Sequence, residues 1–272
     1  MQQYVETNDK ELFNMAGFNG CVGSTDGVHV LMLQCPSWAT IGHTSHNLKA
    51  TARSYHVTVT HEQQILHSTC GHPSTWNDKS LITADEFYKD VKRGKTLRND
   101  RFILLEYNSE GNVTEAHYRG GWFMVDSGYM AWLCTIPPLK NCTSYKYIRF
   151  SEFLESMQKD IECTFGILKK RFNILKVGTC GCKVESCDNI FLTCCVLHNM
   201  LLFKDGLANW ETDERENNNP SLSEIYALNR LELPSDTRQF GTSNEVDSQC
   251  VEEKITHKII TIFLELRYVV SE

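Results

Sequence analysis

No uncharged apolar run of about eighteen residues, the length a membrane-spanning helix needs, occurs in this sequence. The N-terminus, MQQYVETNDK, is polar and lacks the apolar core of a signal peptide. Neither a membrane span nor a secretory leader is therefore expected. Basic charge is also short: 27 lysines and arginines face 34 aspartates and glutamates, a net charge of -7 at pH 7. That balance argues against a protein that coats nucleic acid through bulk electrostatics, although a local basic strip can still hold phosphates. No internal repeat is found. Cysteine, in contrast, is plentiful at twelve. With no leader, and in a chain longer than the usual disulfide-stapled domains, these cysteines read as mostly reduced thiols. The 272 residues, 41% hydrophobic and 22% charged, have an ordinary globular composition and suffice for one large domain with a tail or for two small ones.

The first third is β-rich. VHVLML (28–33), YHVTVT (55–60) and QILHST (64–69) carry β-branched and apolar residues between turn signals, and the last two are a hairpin's gap apart. Leu81, Ile82, Phe87 and Val91 recur at roughly helical spacing and predict a helix over 78–92. RFILLEY and VTEAHYR flank the turn NSEGN as a second hairpin, WFMVD follows as a strand, and WLCTIPP holds a short one. The strongest helix is predicted over 151–172, where Leu154, Met157, Ile161, Phe165, Leu168 and Phe172 make one apolar stripe behind Ser151 as N-cap. A buried helix is expected over 188–202. Strands and helices without strict alternation predict a mixed sheet flanked by helices. Beyond Phe203 an acidic, asparagine-rich stretch reads as a flexible connector, and Ile255, Ile259, Ile260 and Phe263 line one face of a terminal helix.

Three acidic residues sit where a core is expected. Asp26 leads into an apolar strand, Asp126 ends WFMV, and Glu162 borders the stripe of the strong helix. Singly, each has a simpler explanation as turn former, helix cap or solvated charge. As a set they suit a hard divalent cation, which takes oxygen ligands and is held by a few carboxylates plus substrate phosphates. Two such ions about 3.5–4 Å apart can drive phosphodiester cleavage. Period-two alternation puts His29 on the face opposite Asp26, so it is expected to pack or hydrogen-bond rather than share a ligand set.

STDGVHV, GHPSTWNDKSL, VDSGYMAW, DIECTFGILKKRFNIL and CCVLHNMLL, in that order, resemble the catalytic domain of PIF/Harbinger-type transposases and the nucleases derived from them. The resemblance covers about residues 20–203. It implies an α/β fold: a ribonuclease-H-like mixed sheet flanked by helices, with an inserted β-hairpin and a C-terminal tail. It implies an Asp-Asp-Glu site in which Asp26, Asp126 and Glu162 are catalytic and bind metal together with Asp78, the aspartate of the WND stretch. The implied cofactor is Mg²⁺ or Mn²⁺, and the implied reaction is hydrolysis of DNA that leaves a 3′-hydroxyl. Glu162 follows Asp126 by 36 residues, room for a strand and a helix to fold back. Lys169, Lys170 and Arg171 would hold the DNA backbone, and Gly166, at i+4 from Glu162, would let it come close.

The implied partners are DNA and, as for some relatives, a separate Myb-like DNA-binding protein; self-association is compatible with this reading, and nuclear localisation follows from the resemblance. The expected organisation is a leader at 1–19, the catalytic domain at 20–203, the connector at 204–249 and the terminal helix at 250–272. Two departures matter. Gln158 stands where related sequences usually carry arginine, and only about twenty residues precede the first motif, so truncation relative to a full transposase is expected. A catalytically silent, domesticated DNA- or protein-binding factor is the first alternative. The second is a structural zinc module built from CGCKVESC (180–187), Cys194, Cys195 and His198.

Overall fold

The fold is that of a computed structural model, which describes residues 7–45, 48–107, 112–141, 143–180, 183–205 and 238–239. In chain order the elements are α1 (Thr7–Met15), β1 (Cys21–Leu31), α2 (Thr40–His43), β2 (Thr44–Ser45), β3 (Ala50–Val59), β4 (Ile65–Ser68), β5 (His72–Pro73), α3 (Asp78–Ala84) and α4 (Glu86–Lys92). They continue with β6 (Arg101–Tyr107), β7 (Val113–Arg119), β8 (Trp122–Val125), β9 (Thr135–Ile136), α5 (Tyr145–Arg171), α6 (Asn173–Val177), α7 (Val184–Asp205) and β10 (Arg238–Gln239).

The main sheet runs β2-β3-β1-β8-β9, with β4 and β5 also paired to β3. β1 is antiparallel to β3 and parallel to β8, so the sheet is mixed, as expected. Helices cover both faces. Ile161, Phe165 and Leu168 of α5, Leu175 of α6 and Phe191 of α7 pack on Val28, Val30, Tyr55 and Val57. On the other side Ile82, Tyr88 and Val91 of α3 and α4 pack on Val22, Phe123 and Val125. Successive residues of β8 alternate between the two layers, Trp122 and Met124 facing one and Phe123 and Val125 the other. A strand covered on both faces shows no polar alternation, which is why WFMV is apolar throughout.

The β6–β7 hairpin forms a second sheet with β10, and its Phe102, Leu104 and Tyr118 join a core with Trp122, Phe150 and Leu154. Phe13 and Phe18 are buried in the same core. Residues of the expected leader thus pack with the domain.

Several boundaries differ from expectation. β1 begins at Cys21, so Asp26 lies inside the strand and does not merely precede it. The helix predicted over 78–92 is two helices broken at Asp85, whose carboxylate accepts from Phe87 N and caps α4. α5 starts six residues early, with Ser144 at its N-cap; Ser151 lies within it, and its Oγ accepts from Leu139 N at 3.0 Å. Sequence gave no sign of α6. α7 runs into the expected connector to Asp205 and the short strand β10 falls within it; the rest of the connector, with the terminal helix expected at 250–272, lies outside the described residues.

By length and composition α7 could cross a membrane, against the expectation that no element would. It is bolted to the sheet instead: Arg53 Nε and Nη2 donate to Asp188 Oδ1 and Oδ2 at 2.7 and 2.8 Å, and Tyr55 Oη donates to Asp188 Oδ1 at 3.0 Å.

Candidate metal centre

β1 and β8 are adjacent and parallel, with Thr25 opposite Val125. The residues one step on are Asp26 and Asp126, so two carboxylates leave neighbouring strands side by side. Val125 closes a fully buried strand, and the chain turns at Asp126: Oδ1 accepts from Gly128 N at 2.7 Å, and the carbonyl accepts from Tyr129 N at 3.2 Å. Asp126 is therefore a turn former that also brings its carboxylate beside Asp26. Asp26 Oδ1 accepts from Gly27 N at 2.7 Å. Asp78 arrives from the first turn of α3, which Asn77 caps by accepting from Ser80 N at 2.9 Å.

Gly128 lets two of these carboxylates meet. A Cβ there would stand 2.6 Å from Asp78 Oδ2 and 2.9 Å from Asp126 Oδ1, closer than any side chain tolerates. Its importance is space and not backbone conformation, because its φ is not positive.

Electrostatics tie in the remaining members. Burial, and then the charges of Asp126, Asp78 and Glu162, push the Asp26 carboxyl up to about 7. Asp78 is raised by burial and by Asp126. The Tyr129 hydroxyl is raised by burial and by Asp26, Asp78 and Asp126, and among the described residues it has no hydrogen-bond partner though buried. Glu162 projects from an exposed position on α5, next to buried Ile161.

Among the described residues, no three of His, Cys, Asp or Glu are drawn together closely enough to make a finished cation cage. The donor set nevertheless fits a hard divalent cation: it is oxygen-only, and its crowding of negative charge is what a bound cation relieves.

The three expected DNA-binding residues do not share a surface. Lys169 is partly buried, lies on the Glu162 face and acts electrostatically on His29. Lys170 is exposed, while Arg171 acts on His198 on the opposite side of the helix, since nine residues make two and a half turns from Glu162. Gly166 is exposed, and a Cβ there would meet nothing within 4 Å, so packing does not require the glycine. Gln158 is buried.

His29 Nδ1 and Ser54 Oγ are 2.8 Å apart, the hydrogen-bonding role expected of it. Four members of the zinc alternative are engaged in the core: Cys187 Sγ is 2.9 Å from Thr179 Oγ1, Cys194 and Cys195 pack with Phe191 and Tyr55, and His198 Nε2 is 3.0 Å from Gln63 O, while Cys180 is exposed and Cys182 lies outside the described residues.

The sequence reading missed a buried group behind the carboxylates. His56 Nδ1 and His67 Nε2 lie 2.7 and 3.0 Å from Asp85 Oδ2, with the His56 ring against Tyr88 and Tyr129. Gly128 and Tyr129 were also missed as members of this cluster, although a glycine-aromatic pair one residue beyond Asp126 was their signal.

A mixed sheet flanked by helices, with Asp26 inside β1 and Asp126 just past the end of the adjacent parallel β8, defines an α/β domain with a cluster of carboxylates at its sheet. The chain belongs to the family described as plant transposon protein, whose profile matches residues 4–208. It is 25% identical over 193 residues to Protein ALP1-like of Arabidopsis thaliana, a match covering 69% of this chain and 44% of that protein. The chain thus spans less than half the length of that relative. No solved structure matches.

Proposed function

We propose that the domain is a divalent-metal-dependent DNA endonuclease of Harbinger transposase type, with a ribonuclease-H-like fold and an Asp-Asp-Glu site. The observation that carries this reading is the β1–β8 register, which sets Asp26 beside Asp126 with Asp78 pressed against the same glycine, in a chain of transposon ancestry. Asp26, Asp126 and Glu162, with Asp78, would hold Mg²⁺ or Mn²⁺. Such ions supply Lewis acidity at the phosphate and neutralise charge that builds up there. Lys169 steadies the backbone phosphate beside Glu162, and the turn at Asp126–Tyr129, anchored by buried Tyr129, fixes the Asp126 carboxylate. Hydrolysis breaks the P–O3′ bond: the water oxygen adds to phosphorus, and the released O3′ takes up one of the water's protons and leaves as a 3′-hydroxyl. A nuclear location and a Myb-like partner belong to the same reading.

The test is nicking of supercoiled plasmid with Mg²⁺, Mn²⁺ or EDTA, beside Glu162→Gln, which loses charge but keeps shape. Metal-dependent nicking is expected of the parent, with a loss of at least about 100-fold in the variant. A variant that nicks as well as the parent removes Glu162 from the site.

A second reading, a silent domesticated factor that binds DNA or protein, is favoured by one feature. Val196, Met200 and Phe203 are exposed at i, i+4 and i+7 along α7, an apolar stripe that catalysis does not need. Metal-dependent nicking by the parent rejects it.

A further inference from the structure

We propose that the stacked pair of His72 and Trp76 is a platform for an unpaired base of the DNA strand that enters the carboxylate site. The inference rests on the nuclease reading above and names the form of DNA that this site takes.

Trp76 is 38% exposed, unusual for so large a ring, and it lies two residues before Asp78. The His72 imidazole covers one indole face, with ring centroids 4.9 Å apart and planes 17° from parallel. The ring is also held in place. Trp76 N donates to Pro73 O at 3.0 Å, Ser74 Oγ donates to His43 O at 2.7 Å, and Thr75 Oγ1 donates to Gly42 O at 3.0 Å. A turn pinned at three points presents a pre-organised aromatic surface, so little ordering cost remains when a ligand stacks on it.

The pair also lies in line with Asp78. His72 pairs with Ser54 across β5 and β3, and Ser54 pairs with His29 across β3 and β1, the strand that carries Asp26. Gly27 and His29 share a face of β1, where a Cβ on Gly27 would stand 3.6 Å from Asp78 Oδ1, so His29, Ser54 and His72 form a row from the Asp78 side of the site to Trp76. Exposed Lys79, just after Asp78, adds a cation for the adjoining phosphate.

The occupant follows from this chemistry. Every base has a π-face, and stacking on an aromatic ring is tolerant of sequence. A base inside an intact duplex has both faces occupied by its neighbours, so only a frayed or everted base can reach the indole. Thermodynamically, one stacked base corresponds to about tenfold in affinity.

The experiment measures binding of the full chain, with Ca²⁺ in place of Mg²⁺, to a labelled duplex carrying a three-nucleotide unpaired end and to the same duplex made blunt. The parent is expected to prefer the unpaired end by about tenfold. Trp76→Leu, which keeps bulk without the π-face, should lose that preference, and Trp76→Phe should retain most of it, both variants binding blunt duplex like the parent. A Leu variant that keeps the preference, or that weakens equally on both duplexes, overturns the platform. Photocrosslinking of 5-iodouracil at the unpaired position to the unmodified parent is independent of any variant's folding. A crosslink at Trp76 supports the proposal, and crosslinks only elsewhere overturn it. Plasmid nicking without any preference for unpaired ends sinks the platform and leaves the nuclease; the preference without nicking does the reverse.

Discussion

Asp26 is ionised at a cost to the fold. Its carboxyl is pushed up to about 7, chiefly by burial and then by the neighbouring carboxylates. An unfolded aspartate releases its proton near pH 4, so between about pH 4 and 7 the folded chain holds a proton that the unfolded one has lost. Stability from this group therefore falls as pH rises through that window, and the full penalty stands above about pH 7. Asp26→Asn removes it. In EDTA at pH 8 the variant should melt about 2–6 °C above the parent, corresponding to about 1–2 kcal/mol, and the gap should close toward pH 4. Added Mg²⁺ should raise the parent's melting temperature and leave the variant's nearly unchanged, because the cation relieves the same repulsion that the substitution deletes. Scanning calorimetry at both pH values checks the prediction, and a gap that widens on acidification would refute the sign.

The break between α3 and α4 turns on Asp85. Burial pushes this carboxyl up, but hydrogen bonds from His56 and His67 outweigh it and hold it well below the usual carboxylate range. A depressed carboxyl contributes stability above about pH 4 and loses it as pH falls toward the folded value. Asp85→Asn takes away the partner of fully buried His56 and weakens the α4 cap, so a loss of about 3–5 kcal/mol at pH 7 is expected. Urea denaturation at pH 7 and at pH 4 reads it, and the difference between variant and parent should shrink at the lower pH. This element also shows where sequence falls short. Helical spacing found the apolar face of 78–92, but a carboxylate buried by two distant histidines has no local signature. Likewise β1 was half hidden because Ser24 and Thr25 are small and polar, yet fully buried. Thr25 is satisfied by Thr58 at 3.0 Å and by Tyr88, partners brought by other elements. The main stripe of α5 and both hairpins were legible, since each is set by periodicity within its own segment. The candidate carboxylates were found as residues, while their meeting depends on the β1–β8 register and on Gly128, neither of which is a local property.

At the scale of the whole molecule, the net charge of -7 decides how DNA could be held. Bulk attraction is absent, so binding has to draw on a few local cations, and the salt dependence counts them. Sequence groups Lys169, Lys170 and Arg171 as one cluster, but α5 turns Arg171 away toward His198 while Lys169 stays on the Glu162 face. Duplex binding should therefore show a log K against log salt slope of about -2 and not the steeper value of a basic coat protein. Lys169→Ala should flatten that slope by about one, and Arg171→Ala should leave it unchanged. Titrations by fluorescence anisotropy between about 50 and 200 mM salt are sufficient to resolve a change of that size. Equal flattening by both substitutions would mean that DNA wraps around α5, and the carboxylate face would then no longer be the side on which the substrate lies.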